Sequence, residues 1–258
     1  MISRSLLPAH LSHLDAPSID ARAHSERLRD LISNEIARHD GWITFARYME
    51  LALHTPGLGY YSAGASKIGA GGDFVTAPEM GELFARTFAR QLTPLIRAGL
   101  TDLLELGAGS GSLACSLLNE LAALSSLPQR YLILETSADL RQRQQQMLAR
   151  RVPHHLHRIS WLDTLPTSLE AVAIGNEVLD AMPVHVIAVD DGRIDERGVT
   201  FEGLEFRWSN RPAGGSLRAA ARELLLPAGY FTEINLAARS FVHTLGKSLA
   251  RGVLMLID

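Results

Sequence analysis

The 258-residue sequence contains one cysteine, Cys115, which rules out a disulfide framework and fits a reducing compartment. No apolar run approaches the roughly 18 to 20 residues that a membrane-spanning helix needs. The opening stretch MISRSLLPAHLSHLDAPSID is broken too often by polar residues to read as a secretory signal. The simplest expectation is a cytoplasmic bacterial protein, or a mitochondrial one in a eukaryote. An excess of one charge is missing too: Lys+Arg 25 against Asp+Glu 28 give a formal net charge of -3, without the basic stripe that nucleic-acid binding requires. Nucleic acid is therefore not an expected partner. His154, His155 and His157 crowd together but have no matched second cluster, so no metal site is expected.

Apolar residues are plentiful, 47% of the chain, enough for one sizeable core. Behind Ser25, Leu28, Leu31, Ile32 and Ile36 recur at helical spacing, and a second helix is expected from Thr44 to Leu53. Residues 62–78 form a glycine-rich loop closing on Thr76-Ala-Pro-Glu79, where a threonine three residues before a glutamate can cap a helix reciprocally. Met80, Leu83, Phe84, Phe88, Leu92 and Leu95 mark the expected buried face of one long helix. From residue 101 the pattern is strand, loop, helix, repeated: DLLELG, a helix over 111–123, YLILE, a helix over 138–150, HRIS and AVAIG. Such alternation means crossover connections and a parallel sheet covered on both faces. VHVIAVDDG, GVTFEG and LEFRW interrupt it as short strands joined by Asp-Gly and Glu-Gly turns, an antiparallel insertion. A helix over 234–250, ended by Gly252, leads into a further strand, VLMLID.

The expected fold is thus α/β, a doubly wound, mainly parallel Rossmann-like sheet. Residues 1–100 supply an N-terminal helical and glycine-rich segment packing on the core, and residues 101–258 the cofactor-binding core, with an insertion at about 184–230.

The stretch LLELGAGSGSLA, residues 103–114, places Gly107, Gly109 and Gly111 between the first strand of that core and its helix. Glycines there let backbone approach a ligand, and the helix N-terminus behind them favours negative groups. A dinucleotide fingerprint, G-x-G-x-x-G, counted from Gly107 needs its third glycine at position 112, which is Ser112. Glu105 through Gly111 instead reads acid-x-G-x-G-x-G, which resembles the first motif of class I S-adenosylmethionine-dependent methyltransferases. Glu135, closing the second strand, suits the two hydroxyls of a ribose. Trp161, Leu162 and Asp163 follow the third strand, where an adenine would be met. The loop GAGGDF at 69–74 lacks the Lys-Ser/Thr ending of a P-loop and precedes the sheet, which argues against nucleoside triphosphate binding.

Four stretches carry a more specific likeness: GYYS with IGAGGDFVTAPEMGELF at 59–84, LLELGAGSGSLA, GNEVLDAMPVHV at 175–186 and YFTEINLAA at 230–238. In order and spacing they resemble the MidA-like methyltransferases, a group that includes a mitochondrial assembly factor for respiratory complex I. The likeness runs from about residue 25 to the C-terminus. It implies a class I methyltransferase fold, S-adenosylmethionine as cofactor and a protein acceptor. The mitochondrial member symmetrically dimethylates an arginine of a complex I subunit, so arginine and a respiratory-complex subunit are the acceptors implied. The cofactor would then meet Glu105, Gly107, Ala108, Gly109, Ser110, Gly111, Glu135, Leu162 and Asp163, with Gly72, Asp73, Phe74 and Thr76 folding over its methionine end. Family chains continue past the strand that corresponds to VLMLID, so the C-terminal strands of a seven-stranded sheet are expected to be absent.

Methyl transfer from a sulfonium is an in-line displacement, so the protein chiefly supplies alignment and a place for the acceptor's proton. Asn176 and Glu177 lie directly after the fourth strand, Asp180 one turn on, and Glu233 before a later helix; these are the candidate catalytic residues. Helix capping is the alternative role for Asn176, capping of the turn before Pro183 for Asp180, and first-turn dipole complement for Glu233. Two other readings compete: a nicotinamide oxidoreductase, disfavoured by Ser112, and a non-catalytic assembly factor that keeps the cofactor pocket.

Overall fold

The computed structural model describes residues 17–61 and 76–258. Helix α1 (Ile19–Arg38) begins before Ser25 because Ser18, whose hydroxyl accepts from the Ala21 amide at 3.1 Å, is the cap and neither glycine nor proline interrupts the twenty residues of the helix. A short strand β1 (Ile43–Thr44) leads into α2 (Phe45–His54), with the Thr44 hydroxyl capping it at the Arg47 amide, 3.0 Å.

The single long helix expected next is two. A four-residue turn, α3 (Ala77–Met80), breaks at Gly81, whose φ of 153° favours glycine, and α4 (Glu82–Arg97) restarts the register. Thr76 stands at the N-cap position of α3, but its side chain makes no capping bond. The break carries Met80 and Leu83 out of the apolar stripe: they are 79% and 78% exposed. The buried face of α4 is Ala85, Phe88, Ala89, Leu92, Thr93 and Ile96.

The core then alternates as its periodicity predicts. β2 (Asp102–Leu106), α5 (Ser112–Ala123), β3 (Arg130–Leu134), α6 (Ala138–Arg151), β4 (Ile159–Leu162) and β5 (Leu169–Asn176) come in turn. The three clustered histidines lie in a 3-10 turn over Pro153–Arg158, ahead of β4. The insertion supplies β6 (His185–Asp190), β7 (Arg193–Glu202), β8 (Glu205–Pro212), α7 (Gly215–Glu223) and β9 (Tyr230–Ile234). Helix α8 (Leu236–Ser248) passes directly into β10 (Leu249–Ile257). Gly252 therefore does not end the helix. It sits in the strand opposite Ala171, whose carbonyl a β-carbon would strike, so close strand contact explains that glycine.

The core sheet is wholly parallel, in the order β10-β5-β2-β3-β4. One face packs Leu103, Tyr131, Ile133, Val172 and Ile174 beneath α4 and α5; the other sets Leu104, Leu106, Leu132, Ala171 and Ala173 against Leu245 of α8. Cover on both faces is why these strands read as continuous apolar runs rather than alternating ones. Cys115 is part of this core, and burial pushes its thiol up to about 11, which leaves it an inert apolar side chain. No helix among the described residues is long and apolar enough to cross a membrane.

The second sheet is antiparallel, and β1 of the N-terminal segment joins it by pairing with β7. Ile32, Ile36, Ile43, Leu51 and Val199 form their shared core. At the crossing, a β-carbon on Gly198 would run into the Ile43 carbonyl and the Trp42 indole, and the indole N–H donates to the Ser209 carbonyl at 3.0 Å. Gly198→Ala is expected to cost about 1 to 3 kcal/mol, seen as a lower urea midpoint. Gly214→Ala, where a β-carbon meets nothing, should leave the midpoint close to that of the parent.

Candidate functional site

In a sheet covered on both faces, ligands are met at the carboxyl ends of the strands, where the order reverses. Here the chain leaves β2 for β3 on one side and comes back as β5 on the other. A cavity of about 980 Å³ opens there. Its floor is the glycine loop, its sides are Glu135–Ser137 and Asn176–Pro183, and its outer wall comes from the N-terminal segment through His54, Tyr61 and Thr76–Glu79.

The loop turns sharply because Gly107, Gly109 and Gly111 hold φ of 60°, 54° and 85°, a region that suits glycine. The Gly107 amide stays tied to the sheet through the Leu134 carbonyl at 3.1 Å, and Gly111 caps α5 from behind the cavity wall. The Ser110 hydroxyl accepts from the Ser112 amide at 3.1 Å and donates to the Glu79 carboxylate, which fastens α3 onto the loop.

Two glutamates occupy different dielectric settings. Glu105 is 2% exposed, and the Tyr131 hydroxyl donates to its Oε2 at 2.8 Å. Burial, outweighing that hydrogen bond and assisted by the nearby Glu135 charge, pushes its carboxyl up to about 7. Glu135, 7% exposed, has both oxygens engaged: Oε1 accepts from the Ser137 amide at 2.9 Å, Oε2 from the Gln144 amide nitrogen at 3.0 Å.

The far end of the cavity is acidic and open. Asn176 ends β5, and Glu177 comes next at φ 52° with its amide donating to the Ile257 carbonyl at 2.8 Å. This left-handed turn swings the segment away from the sheet. Glu177, Asp180 and Asp258 present carboxylate oxygens within 4.8 Å of one another, all exposed. Asp258 accepts from the amides of Val178, Leu179 and Asp180 at 3.0, 2.6 and 3.1 Å, and so holds the turn in place. Partial burial, then the Asp180 and Asp258 charges, raise the Glu177 carboxyl. Tyr61 faces these acids: burial first, then Asp180 and Glu177, raise its hydroxyl. His54 stacks on Tyr61 at 5.6 Å and donates from Nε2 to the Ala181 carbonyl at 3.1 Å.

Of the candidate residues, Thr76, Glu105, Gly107, Ala108, Gly109, Ser110, Glu135, Asn176, Glu177 and Asp180 line this one cavity. Leu162 and Asp163 do not line it. The Leu162 carbonyl accepts from Arg141 at 3.1 Å, and the 85% exposed Asp163 pairs with the same guanidinium at 2.8 Å. Glu233 lies away as well. It is a strand residue opposite Val186 in the antiparallel sheet, because β9 runs on to Ile234 and Asn235, not Glu233, caps α8 at the Ala238 amide, 2.7 Å. Gly72, Asp73 and Phe74 lie outside the described residues. The structure adds His54, Tyr61, Glu79 and Gln144 to the site. His54 and Tyr61 are the first and last residues of the breaker HTPGLGYY, and Gln144 is a polar residue on the Leu140–Leu148 stripe of α6, where its spacing marks it as a buried polar position.

A left-handed glycine loop before a helix, a fixed carboxylate at the end of the neighbouring strand and a deep crevice at the switch point define an α/β protein built to hold a nucleoside-bearing cofactor. Comparison with known proteins narrows the class. Residues 83–258 match the model of a family described as "putative S-adenosyl-L-methionine-dependent methyltransferase", and the chain belongs to that family. A Burkholderia thailandensis protein crystallised with S-adenosyl-homocysteine is 44% identical and superposes with a TM-score of 0.88, covering 95% of this chain and 65% of that one. The mitochondrial protein arginine methyltransferase NDUFAF7 homolog of Caenorhabditis elegans is 29% identical over 67% of this chain and 46% of its own length. The Danio rerio protein arginine methyltransferase NDUFAF7 is 38% identical over 39% of this chain and 24% of its own length. The chain thus spans about half the length, or less, of these curated relatives.

The buried Glu105 makes stability pH-dependent. A carboxyl that keeps its proton up to about 7 in the fold, against an ordinary value of 4.5, stabilises the fold fully below pH 4.5 and loses that contribution as pH rises through about 7. Glu105→Gln should flatten this fall and leave the ligand-free protein more stable than the parent at about pH 8, as read by thermal melting across the window. A parent melting temperature that does not decline there would contradict the assignment.

Proposed function

We propose that the protein transfers methyl groups from S-adenosylmethionine to an arginine side chain of a protein acceptor. The observation that carries this reading is that one cavity joins a nucleoside end, built from the glycine loop and Glu135, to an open acidic end at Glu177 and Asp180. The arginine methyltransferase names of the curated relatives, and the S-adenosyl-homocysteine held by the Burkholderia protein, support it. The residues present suit that cofactor: turns at glycine leave room for close backbone approach, Glu135 is an acceptor-only group suited to ribose hydroxyls, and the charge of an α-ammonium would draw the neighbouring Glu105 carboxyl into the ionised form that pairs with it. A subunit of a respiratory complex is the acceptor implied by the resemblance of the sequence motifs, and the cytoplasm the compartment of a bacterial member.

When bound, the cofactor supplies a methyl group already activated by a sulfonium. The chain's own part is alignment and proton handling. A guanidinium, with a pKa above about 12, stays charged and presents a planar fork of N–H donors that paired carboxylates can accept. Glu177 and Asp180 orient that fork, with Tyr61 and His54 forming the opposite wall. The attacking nitrogen must shed a proton as its bond to carbon forms, and Glu177, whose carboxyl is raised, receives it.

Glu177→Gln keeps the shape but removes the acceptor. It should lower transfer of tritiated methyl to an acceptor protein by roughly 10²- to 10⁴-fold while leaving affinity for S-adenosyl-homocysteine nearly unchanged, and hydrolysates of the parent reaction should contain dimethylarginine. Label recovered in another residue, or full activity in the variant, would overturn the reading.

A further inference from the structure

Helix α6 is polar along most of its length, yet Gln144 is wholly buried within it, on the stripe that ends in the equally buried Leu148. A buried amide is costly unless its donors and acceptor are all met, and here they are. Its Nε2 donates to the Gly109 carbonyl at 3.0 Å and to Glu135 Oε2 at 3.0 Å, while its Oε1 accepts from the Trp161 indole N–H at 2.9 Å. The indole nitrogen is only a donor, so it fixes which end of the amide faces it. Both N–H groups are then committed to the two acceptors. One amide therefore spans the glycine loop, the acid after β3 and the tryptophan of β4.

The consequence falls on Glu135. Its Oε1 has spent one acceptor site on the Ser137 amide and its Oε2 one on Gln144, so each oxygen keeps acceptor capacity and neither can rotate out of place. A carboxylate held in this way is set to receive two neighbouring hydroxyls at once. We propose that Gln144 is a positioning residue that presets Glu135, in register with the glycine loop, for the vicinal hydroxyls of the cofactor's ribose. This rests on the reading of the cavity as an S-adenosylmethionine site. Gln144 itself stays out of the cavity wall and acts through Glu135 and the Gly109 carbonyl.

The test is a binding comparison. Gln144→Met keeps the volume but removes both donors, leaving the Glu135 carboxylate one hydrogen bond short and free to turn. By calorimetry it should weaken S-adenosyl-homocysteine by roughly 5- to 100-fold. An analogue of the same molecule lacking both ribose hydroxyls should lose clearly less, with the two losses differing by at least about fivefold. Trp161→Phe, which keeps an aromatic ring but removes the N–H that orients the amide, should likewise erode the preference for the hydroxylated ligand, and it carries the comparison if Gln144→Met does not fold. Equal losses for both ligands would reduce Gln144 to a packing residue and overturn the proposal, as would an unchanged affinity. A parent protein that binds neither ligand would instead overturn the cofactor reading on which the proposal rests.

Discussion

A parallel sheet hidden on both faces has only its strand ends left for chemistry. Here α4 and α5 cover one face and α8 the other, so β2, β3 and β5 can present functional groups only at their carboxyl edge. Each strand does so with the residues just past its buried end: the left-handed glycine loop after Leu106, Glu135 and Ser137 after Leu134, and the left-handed turn at Glu177 after Asn176. The antiparallel sheet and the N-terminal helices have a different task. They supply His54 and Tyr61 as a wall facing that edge, and the seam at Gly198 binds the two parts of that sheet together.

Along this edge the acids are sorted by environment. Glu105 is buried and holds its proton to about 7; Glu135 is buried but bonded by two N–H donors; Glu177 and Asp180 are open to solvent beside Asp258. Residues of one chemical type can thus serve different ends of one ligand set, because burial, hydrogen bonding and like charge act on them unequally.

Much of this was legible in the sequence, for definite reasons. Continuous apolar runs separated by helical stretches dictate a covered parallel sheet, and the spacing Glu105-x-Gly107-x-Gly109-x-Gly111 marks a loop needing three unusual φ values. Local patterns failed where a distant contact decided the outcome. Gly81 divides a helix whose apolar spacing looked unbroken, Gly252 answers to the Ala171 carbonyl across the sheet rather than to a helix end, and Glu233 belongs to a strand whose partner, Val186, lies far along the chain. Gln144 is the instructive case: its neighbours make α6 look like a surface helix, and only the three-way bonding to Gly109, Glu135 and Trp161 shows why a polar residue sits at its most buried point.

The proposed function requires that the glycine loop and Glu135 hold an S-adenosyl nucleoside rather than a dinucleotide. Calorimetric titration of the parent and of Gly109→Val with S-adenosyl-homocysteine and, separately, with NAD tests it most directly. Micromolar binding of S-adenosyl-homocysteine by the parent, its loss when a branched side chain is forced into the left-handed position of Gly109, and no binding of NAD are expected. Binding of NAD in place of the sulfur nucleoside, or of neither by a folded parent, would contradict it.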